Sequence, residues 1–250
     1  MKIGIIGGSG FYDLDIFEEI EEKEIYTPYG KPSSQITVGK IKSVEVVFIA
    51  RHGKEHVIPP TQINNRANLW ALKKEGVTHI LATTACGSLR EKIGRGDLVI
   101  LDQFIDFTRL RKISFYEEFE KNKPIHSSSA EPFSNELRKT LIDSAKELGL
   151  KYHEKGTVIT IEGNRFSTKA ESHMFKTWGA DVINMSTAPE CSLANELGIP
   201  YSAVAMSTDY DCWKEDEKPV SIEEIVKVFN ENSEKVKKLL TKTIQKIGEK

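Results

Sequence analysis

Cysteine is scarce in this chain: Cys86, Cys191 and Cys212 are the only three in 250 residues, and no CxxC spacing occurs. An odd, widely spaced set argues against a disulfide framework or a thiolate metal site. It reads as reduced, buried thiols of a cytoplasmic protein. Long apolar runs are also lacking, so no membrane-spanning helix is expected. The opening MKIGIIGGSG has too short an apolar stretch for a secretory leader. An excess of one charge is missing as well: 35 basic and 37 acidic residues are interspersed to a net charge of −2. Without a dense basic face, phosphate-backbone neutralisation gives no affinity for nucleic acid. Low-complexity tracts, Pro- or Gly/Ser-rich linkers and internal repeats are absent, which excludes solenoid and linker-joined architectures.

What remains is a globular composition, 39% hydrophobic and 29% charged, long enough to bury a substantial core. Val- and Ile-rich runs recur: KIGIIGG, ITVGKI, VEVVFIAR, HILATTACG, LVILDQFIDF, GTVITIEG, DVINM and YSAVAMSTDYD. Several are almost continuously apolar, as strands covered on both faces are. Between them lie helical patterns. NNRANLWALKKEG closes on Gly76, and NELRKTLIDSAKELGL carries Leu137, Leu141, Ile142, Ala145 and Leu148 on one stripe. TKAESHMFKTWG and APECSLANELG are shorter, and a last helix opens with the capping box Ser221 and Glu224. This alternation predicts one α/β domain over residues 1–250 with a mostly parallel or mixed sheet, whose ligands collect beyond the carboxyl ends of strands. From about Thr108 to Phe133 no period is visible. A loop of that length with Phe115, Tyr116 and Phe119 predicts a surface packed on a neighbouring subunit.

Five strand ends carry polar chemistry. GIIGGSGF, residues 4–11, can form a concave anion site from backbone N–H groups and the Ser9 hydroxyl, or a plain glycine turn. It lacks the third glycine of a dinucleotide fingerprint and the Gly-Lys-Ser/Thr of a P-loop. ARHGKEH places Arg51 and His52 as donors to an oxyanion, while a surface ion pair is the plainer role for Arg51. His52-x-x-Glu55-His56 also matches a zinc-peptidase pattern. That pattern needs a helix, whereas Gly53 and Pro59-Pro60 point to a turn, so no metal is expected. ATTACGSL offers the Thr84 hydroxyl and turn N–H groups. TIEGNRFSTKAES puts Phe166 where a ring could stack on a flat base or simply join the core. STDYDCW puts Asp209 and Asp211 on one strand face, where buried carboxylates must bind something, stay protonated, or serve as caps.

In combination and in order, GGSGF, RHGKEH, INNRANLWAL, TTACGSL, DQFID, EGNRFSTKAES, GADVINMSTAPE and TDYDCW resemble 5′-methylthioadenosine phosphorylases, within the wider purine nucleoside phosphorylase group. The likeness runs from about Ile3 to Ile225. It implies a twisted mixed sheet flanked by helices, assembled as trimers or pairs of trimers, with phosphate as co-substrate and no cofactor. It implies phosphate held by Ser9, Arg51, His52, Thr84, Ala85 and Ser186. Met185 would lie by the ribose, Phe166, Ser167 and Tyr210 around the purine, Asp209 at N7 and Asp211 at the 6-amino group. Ile222, Ile225 and Val226 would line an apolar pocket for the 5′-methylthio group, with His56 and the neighbouring subunit's His126 nearby. Departures from many members are Asn164 for Pro, Ser186 for Thr, and a shorter C-terminal tail.

The chemistry of the residues agrees. Opening a C1′–N9 bond builds positive charge on the ribose, offset by phosphate, and negative charge on the base, relieved by a donor at N7. Asp209 donates only when protonated, so burial and Asp211 should raise its pKa. An acceptor-only Asp211 suits adenine. A 6-oxopurine would set carbonyl against carboxylate, at about 1–3 kcal/mol or more. The expected reaction is phosphorolysis of methylthioadenosine. Alternatives are phosphorolysis of inosine-type nucleosides or adenosine, or a non-catalytic nucleotide- or anion-binding protein.

Overall fold

The structure, a computed structural model, describes residues 1–8, 16–215 and 222–249, with the side chains of 222–226, 229 and 231 left aside. Among the described residues eleven strands form one mixed sheet. A central path runs through β2 (Glu18–Lys23), β3 (Ile36–Ile41), β4 (Val44–Ala50), β1 (Lys2–Gly7), β5 (His79–Ser88), β10 (Val182–Asn184), β9 (Thr157–Ile161) and β7 (Gln103–Phe107). From β5 a branch leads through β11 (Tyr201–Asp209) and β6 (Leu98–Ile100) to β8 (Tyr152–His153).

Strand β5 determines where a ligand can enter. One edge of it runs parallel to β11 for most of its length, from Ile80 to Gly87. The other edge pairs with β1 only at 79–82, then turns antiparallel to β10 at Gly87 and Ser88. Between these partners residues 83–86 have no ladder partner on that edge, which leaves a crevice in the pairing between the end of β1 and the end of β10. This is the strand-end opening where ligands of such sheets collect.

Alternation along the strands sends side chains to two cores. Ile3, Ile5, Val46 and Phe48 join Leu137 and Leu141 of α2 (Asn135–Glu147) and Val236, Leu239, Leu240 and Ile244 of α5 (Ile222–Gly248). Ile6, Val47 and Ile49 join Leu69 and Leu72 of α1 (Asn65–Lys74) and Cys191, Leu193 and Ala194 of α4 (Thr187–Glu196). A smaller cluster seats α3 (Lys169–Thr177) through Phe175 on Ile159 and Ile161. Caps begin three of these helices: Asn64 accepts from Ala67 N–H, Ser134 from Leu137 N–H, and Thr168 with Glu171 forms a full capping box. The expected Ser221 cap lies outside the described residues. Among the described residues no helix is long and apolar enough to cross a membrane.

Two expectations are corrected, and one strand appears that apolar patterning passed over. LVILDQFIDF is two strands, β6 and β7, because Asp102 breaks the run and accepts from Gly156 N–H at 2.9 Å while the two halves pair with different neighbours. The acidic EEIEEK of β2 is a strand without apolar alternation, since its edge is fixed by pairing to β3 and by the ion pairs Glu19–Lys40 and Glu22–Lys54. Phe115 does not await a partner subunit: its ring packs inside the chain on Tyr29 at 5.1 Å and Trp70 at 6.1 Å. Tyr116 and Phe119 remain exposed in the single chain, as do Ile113 and Ile125.

Candidate active site

At the crevice, Thr84, Asn184 and Ser186 meet from β5 and the end of β10. Thr84 Oγ1 and Ser186 Oγ are 3.1 Å apart, and Asn184 Nδ2 donates to Thr84 Oγ1 at 3.2 Å. Asn184 Oδ1 accepts from Thr160 Oγ1 at 2.8 Å, which fixes the amide. Ala85 continues β5 beside them. Gly8 arrives from β1 and donates its N–H to Thr83 Oγ1 at 3.3 Å. A Cβ at Gly8 would sit 2.6 Å from Arg51 Nη1, so the glycine is required for the backbone to pass over that guanidinium. Ser9 lies outside the described residues.

Arg51 is almost wholly buried at the end of β4. Its Nε and Nη2 pair with both carboxylate oxygens of Glu190 on α4, the second at 3.0 Å, and Nη1 donates to Thr83 O at 2.8 Å. The surface ion pair considered from sequence is instead a buried bidentate one.

Residues 51–56 form a turn rather than a helix, and the zinc pattern there has no helical face to use. Among the described residues no three or more His, Cys, Asp or Glu side chains gather as a metal site. His52 Nδ1 bonds the Ile58 carbonyl at 2.9 Å; a carbonyl only accepts, so this nitrogen carries the proton. Burial first, then the Arg51 charge, lower the His52 pKa to about 4, so the ring is neutral at pH 7 and its Nε2 is left as an acceptor. The His56 ring stacks on it at 4.4 Å. His126 is exposed and edge-on to Phe119 of its own segment.

The second polar feature lies three residues along β5, at Gly87. A Cβ there would be 3.0 Å from Asp209 Oδ1 and 3.3 Å from Asp211 Cβ. The carboxylates do not share a strand face, as two-residue spacing suggested. Strand β11 ends at Asp209 after a register shift, and Asp211 turns back with φ 50°. Its N–H donates to Asp209 Oδ1 at 2.7 Å, and Thr208 Oγ1 lies 2.7 Å from Oδ2. Burial raises the Asp209 pKa above the usual carboxylate range, against those two hydrogen bonds, and the Asp211 charge adds to the rise. Burial also raises Asp211, while the nearby Ser172 and Ser167 hydroxyls favour its charged form. Both hydroxyl oxygens are buried without a well-formed hydrogen bond. Cys212 Sγ contacts Ser167 O at 3.3 Å, and Trp213 Nε1 donates to Ser88 O at 2.8 Å, tying this turn to β5.

Around this pair, Phe166 stands half exposed at the turn before α3. The Met185 thioether packs against Gly163, where a Cβ would lie 2.7 Å from Sδ. The Tyr210 ring lies edge-on to Trp213 at 6.2 Å, with its hydroxyl near Gly94. Ile222, Ile225 and Val226 fall in the first turns of α5, where side chains lie outside the described residues.

The model of the phosphorylase superfamily matches residues 2–245. The S-methyl-5′-thioadenosine phosphorylase of Xenopus tropicalis is 56% identical, aligned over 99% of this chain and 89% of its own. That of Pyrococcus abyssi is 54% identical over 99% and 93%. A methylthioadenosine phosphorylase from Schistosoma mansoni, solved in complex with adenine, superposes with a TM-score of 0.95 at 40% identity, covering 100% of this chain and 93% of that one. The chain belongs to the S-methyl-5′-thioadenosine phosphorylase family.

Within this methylthioadenosine phosphorylase family fold, four residues at the crevice escape a reading of strand ends. Glu190 and Tyr201 look in the sequence like a helical acid and a strand aromatic, yet Glu190 pairs with Arg51 and the Tyr201 hydroxyl donates to Glu190 Oε2. Asn184 sits in an apolar strand, and that isolated amide was the signal available. Arg111, within the aperiodic segment, is nearly buried. It donates to Met185 O at 2.6 Å and Glu162 O at 2.6 Å and pairs with the Glu162 carboxylate at 3.1 Å, so it clamps the loop that carries Met185. One arginine in a charge-rich loop has no local signature; only the fold brings Glu162 to it.

Proposed function

We propose that the protein cleaves 5′-methylthioadenosine with inorganic phosphate, releasing adenine and 5-methylthioribose 1-phosphate, with no metal or organic cofactor. The observation that carries this is the placement of two features on one strand. The hydroxyl cluster at Thr84 and the buried carboxyl pair at Gly87 are three residues apart on β5, about 10 Å at strand rise. That span suits a nucleoside with its phosphate partner at one end and its base at the other. Support for the substrate class comes from a Schistosoma mansoni relative, a single-substitution mutant of an adenosine/methylthioadenosine phosphorylase in complex with methylthioadenosine.

In this reading Ser9, Arg51, Thr84, the Ala85 backbone and Ser186 hold phosphate, with His52 Nε2 accepting from a phosphate or ribose hydroxyl. A phosphate oxygen forms its bond to C1′ as the C1′–N9 pair leaves with the purine. The proton on Asp209 passes to N7, so the base departs neutral. Asp211 accepts from the 6-amino group. Phe166, Ser167 and Tyr210 border the base and Met185 the ribose. His56, Ile222, Ile225, Val226 and a second subunit's His126 surround the 5′ group. The assembly is a cytoplasmic homotrimer or pair of trimers, supported by the exposed Ile113, Tyr116, Phe119 and Ile125.

The test is a substrate panel with purified protein. Methylthioadenosine with phosphate should yield adenine and the 1-phosphate sugar, and inosine should react poorly. Equal adenine release without phosphate would mean a hydrolase; no release would refute the proposal outright. Asp211→Asn should move kcat/KM toward 6-oxopurine nucleosides, because an amide can donate to a carbonyl.

A further inference from the structure

We infer that Glu190 is a positioning residue for phosphate: through its carboxylate, and through Tyr201 behind it, it fixes the plane in which the Arg51 guanidinium meets the anion. The inference rests on the phosphate role proposed above for Arg51. Glu190 and Arg51 have side chains each only 1% exposed, and no solvent competes for their contact. Glu190 Oε1 takes Arg51 Nε, and Oε2 takes both Nη2 at 3.0 Å and the Tyr201 hydroxyl at 2.9 Å. Bidentate pairing leaves a planar fork no freedom to rotate about its own axis. The Thr83 carbonyl then holds Nη1 from the β5 side. Tyr201 is itself fully buried at the start of β11, its ring packed on Phe133 at 6.0 Å. Three segments that build the crevice are tied at one carboxylate: the end of β4, the first turn of α4 that follows Ser186, and the root of β11.

Charge alone argues the other way, which makes the inference decidable. Glu190 neutralises Arg51, so removing its charge would leave a fuller positive field and draw phosphate in more strongly. Positioning predicts weaker phosphate binding instead. The two effects have opposite signs on one measurable quantity.

The experiment compares wild type, Glu190→Gln, Glu190→Asp, Tyr201→Phe and Arg51→Ala. For each, KM for phosphate and KM for methylthioadenosine are measured separately, well below each variant's Tm. Glu190→Gln should raise the phosphate KM by about 10-fold or more with the nucleoside KM within about threefold. Tyr201→Phe, which keeps the ring and loses one hydrogen bond, should raise it by about two- to fivefold. Glu190→Asp, keeping the charge, should lie between wild type and Glu190→Gln. A phosphate KM that stays level or falls in both Glu190→Gln and Tyr201→Phe overturns the inference. So does an equal rise in both KM values, the mark of general loosening. If Glu190→Gln does not fold, the Tyr201→Phe ratio decides alone. Arg51→Ala separates the layers: if it spares the phosphate KM, the reading of Arg51 falls and this inference with it. If Arg51→Ala raises that KM while Glu190→Gln does not, only the positioning role is lost.

Discussion

Asp209 ends a fully buried strand, and burial raises the pKa of its carboxyl. A general acid must carry its proton, so kcat/KM should fall as pH rises through that elevated pKa. Asp209→Asn should lower kcat by about 100-fold or more, leave Tm near wild type and flatten this limb of the profile. A variant with wild-type kcat would remove Asp209 from the chemistry. His52 tests the opposite sign. Its folded pKa, about 4, lies below the ordinary 6.5, so the unfolded chain binds more protons between those values. Stability from the neutral ring is full above pH 6.5 and is lost as pH falls toward 4. Melting curves across that window should show a steeper loss for wild type than for His52→Gln, and equal slopes would contradict the burial assigned to the ring. The candidates named from sequence were legible because they are chemically conspicuous at strand ends. Glu190 and Arg111 were not, because their charged partners lie 139 and 51 residues off in the chain, and Tyr201 reads as one more strand aromatic.

Helices α3 and α4 show how similar elements serve different ends. Thr168 caps α3 with a full capping box, so its hydroxyl is spent on the helix. Ser186 stands at the same place on α4 and makes no side-chain cap. The start of α4 is satisfied otherwise: Ala188 N–H donates to Thr160 Oγ1 at 3.1 Å, and Pro189 has no N–H to satisfy. The Ser186 hydroxyl is thereby turned toward Thr84. If it meets phosphate, inorganic phosphate at 100 times its Kd should stabilise the protein by about 2.7 kcal/mol, several degrees in Tm. Ser186→Ala should shrink that ligand-induced shift without greatly changing the Tm of the free protein. A shift of unchanged size would remove Ser186 from the phosphate site.

At the scale of the molecule, the segment between β7 and α2 divides its aromatic residues: Phe115 turns inward, and Tyr116 and Phe119 stay outside. Phe119→Glu should shift the protein to smaller species by light scattering with each chain still folded; an unchanged mass would place the interface elsewhere. The sequence by itself determined the alternation of strands and helices, the apolar stripe of α2, and the strand ends that carry polar residues. Such features depend on neighbours within one or two turns of chain. Tertiary structure alone decided that β5 changes partners to open the crevice, that Asp211 folds back onto Asp209 beside Gly87, and that Arg51 meets Glu190 from 139 residues away. Those contacts arise when distant segments are packed against one another, and neither residue of such a pair marks the other in its local sequence.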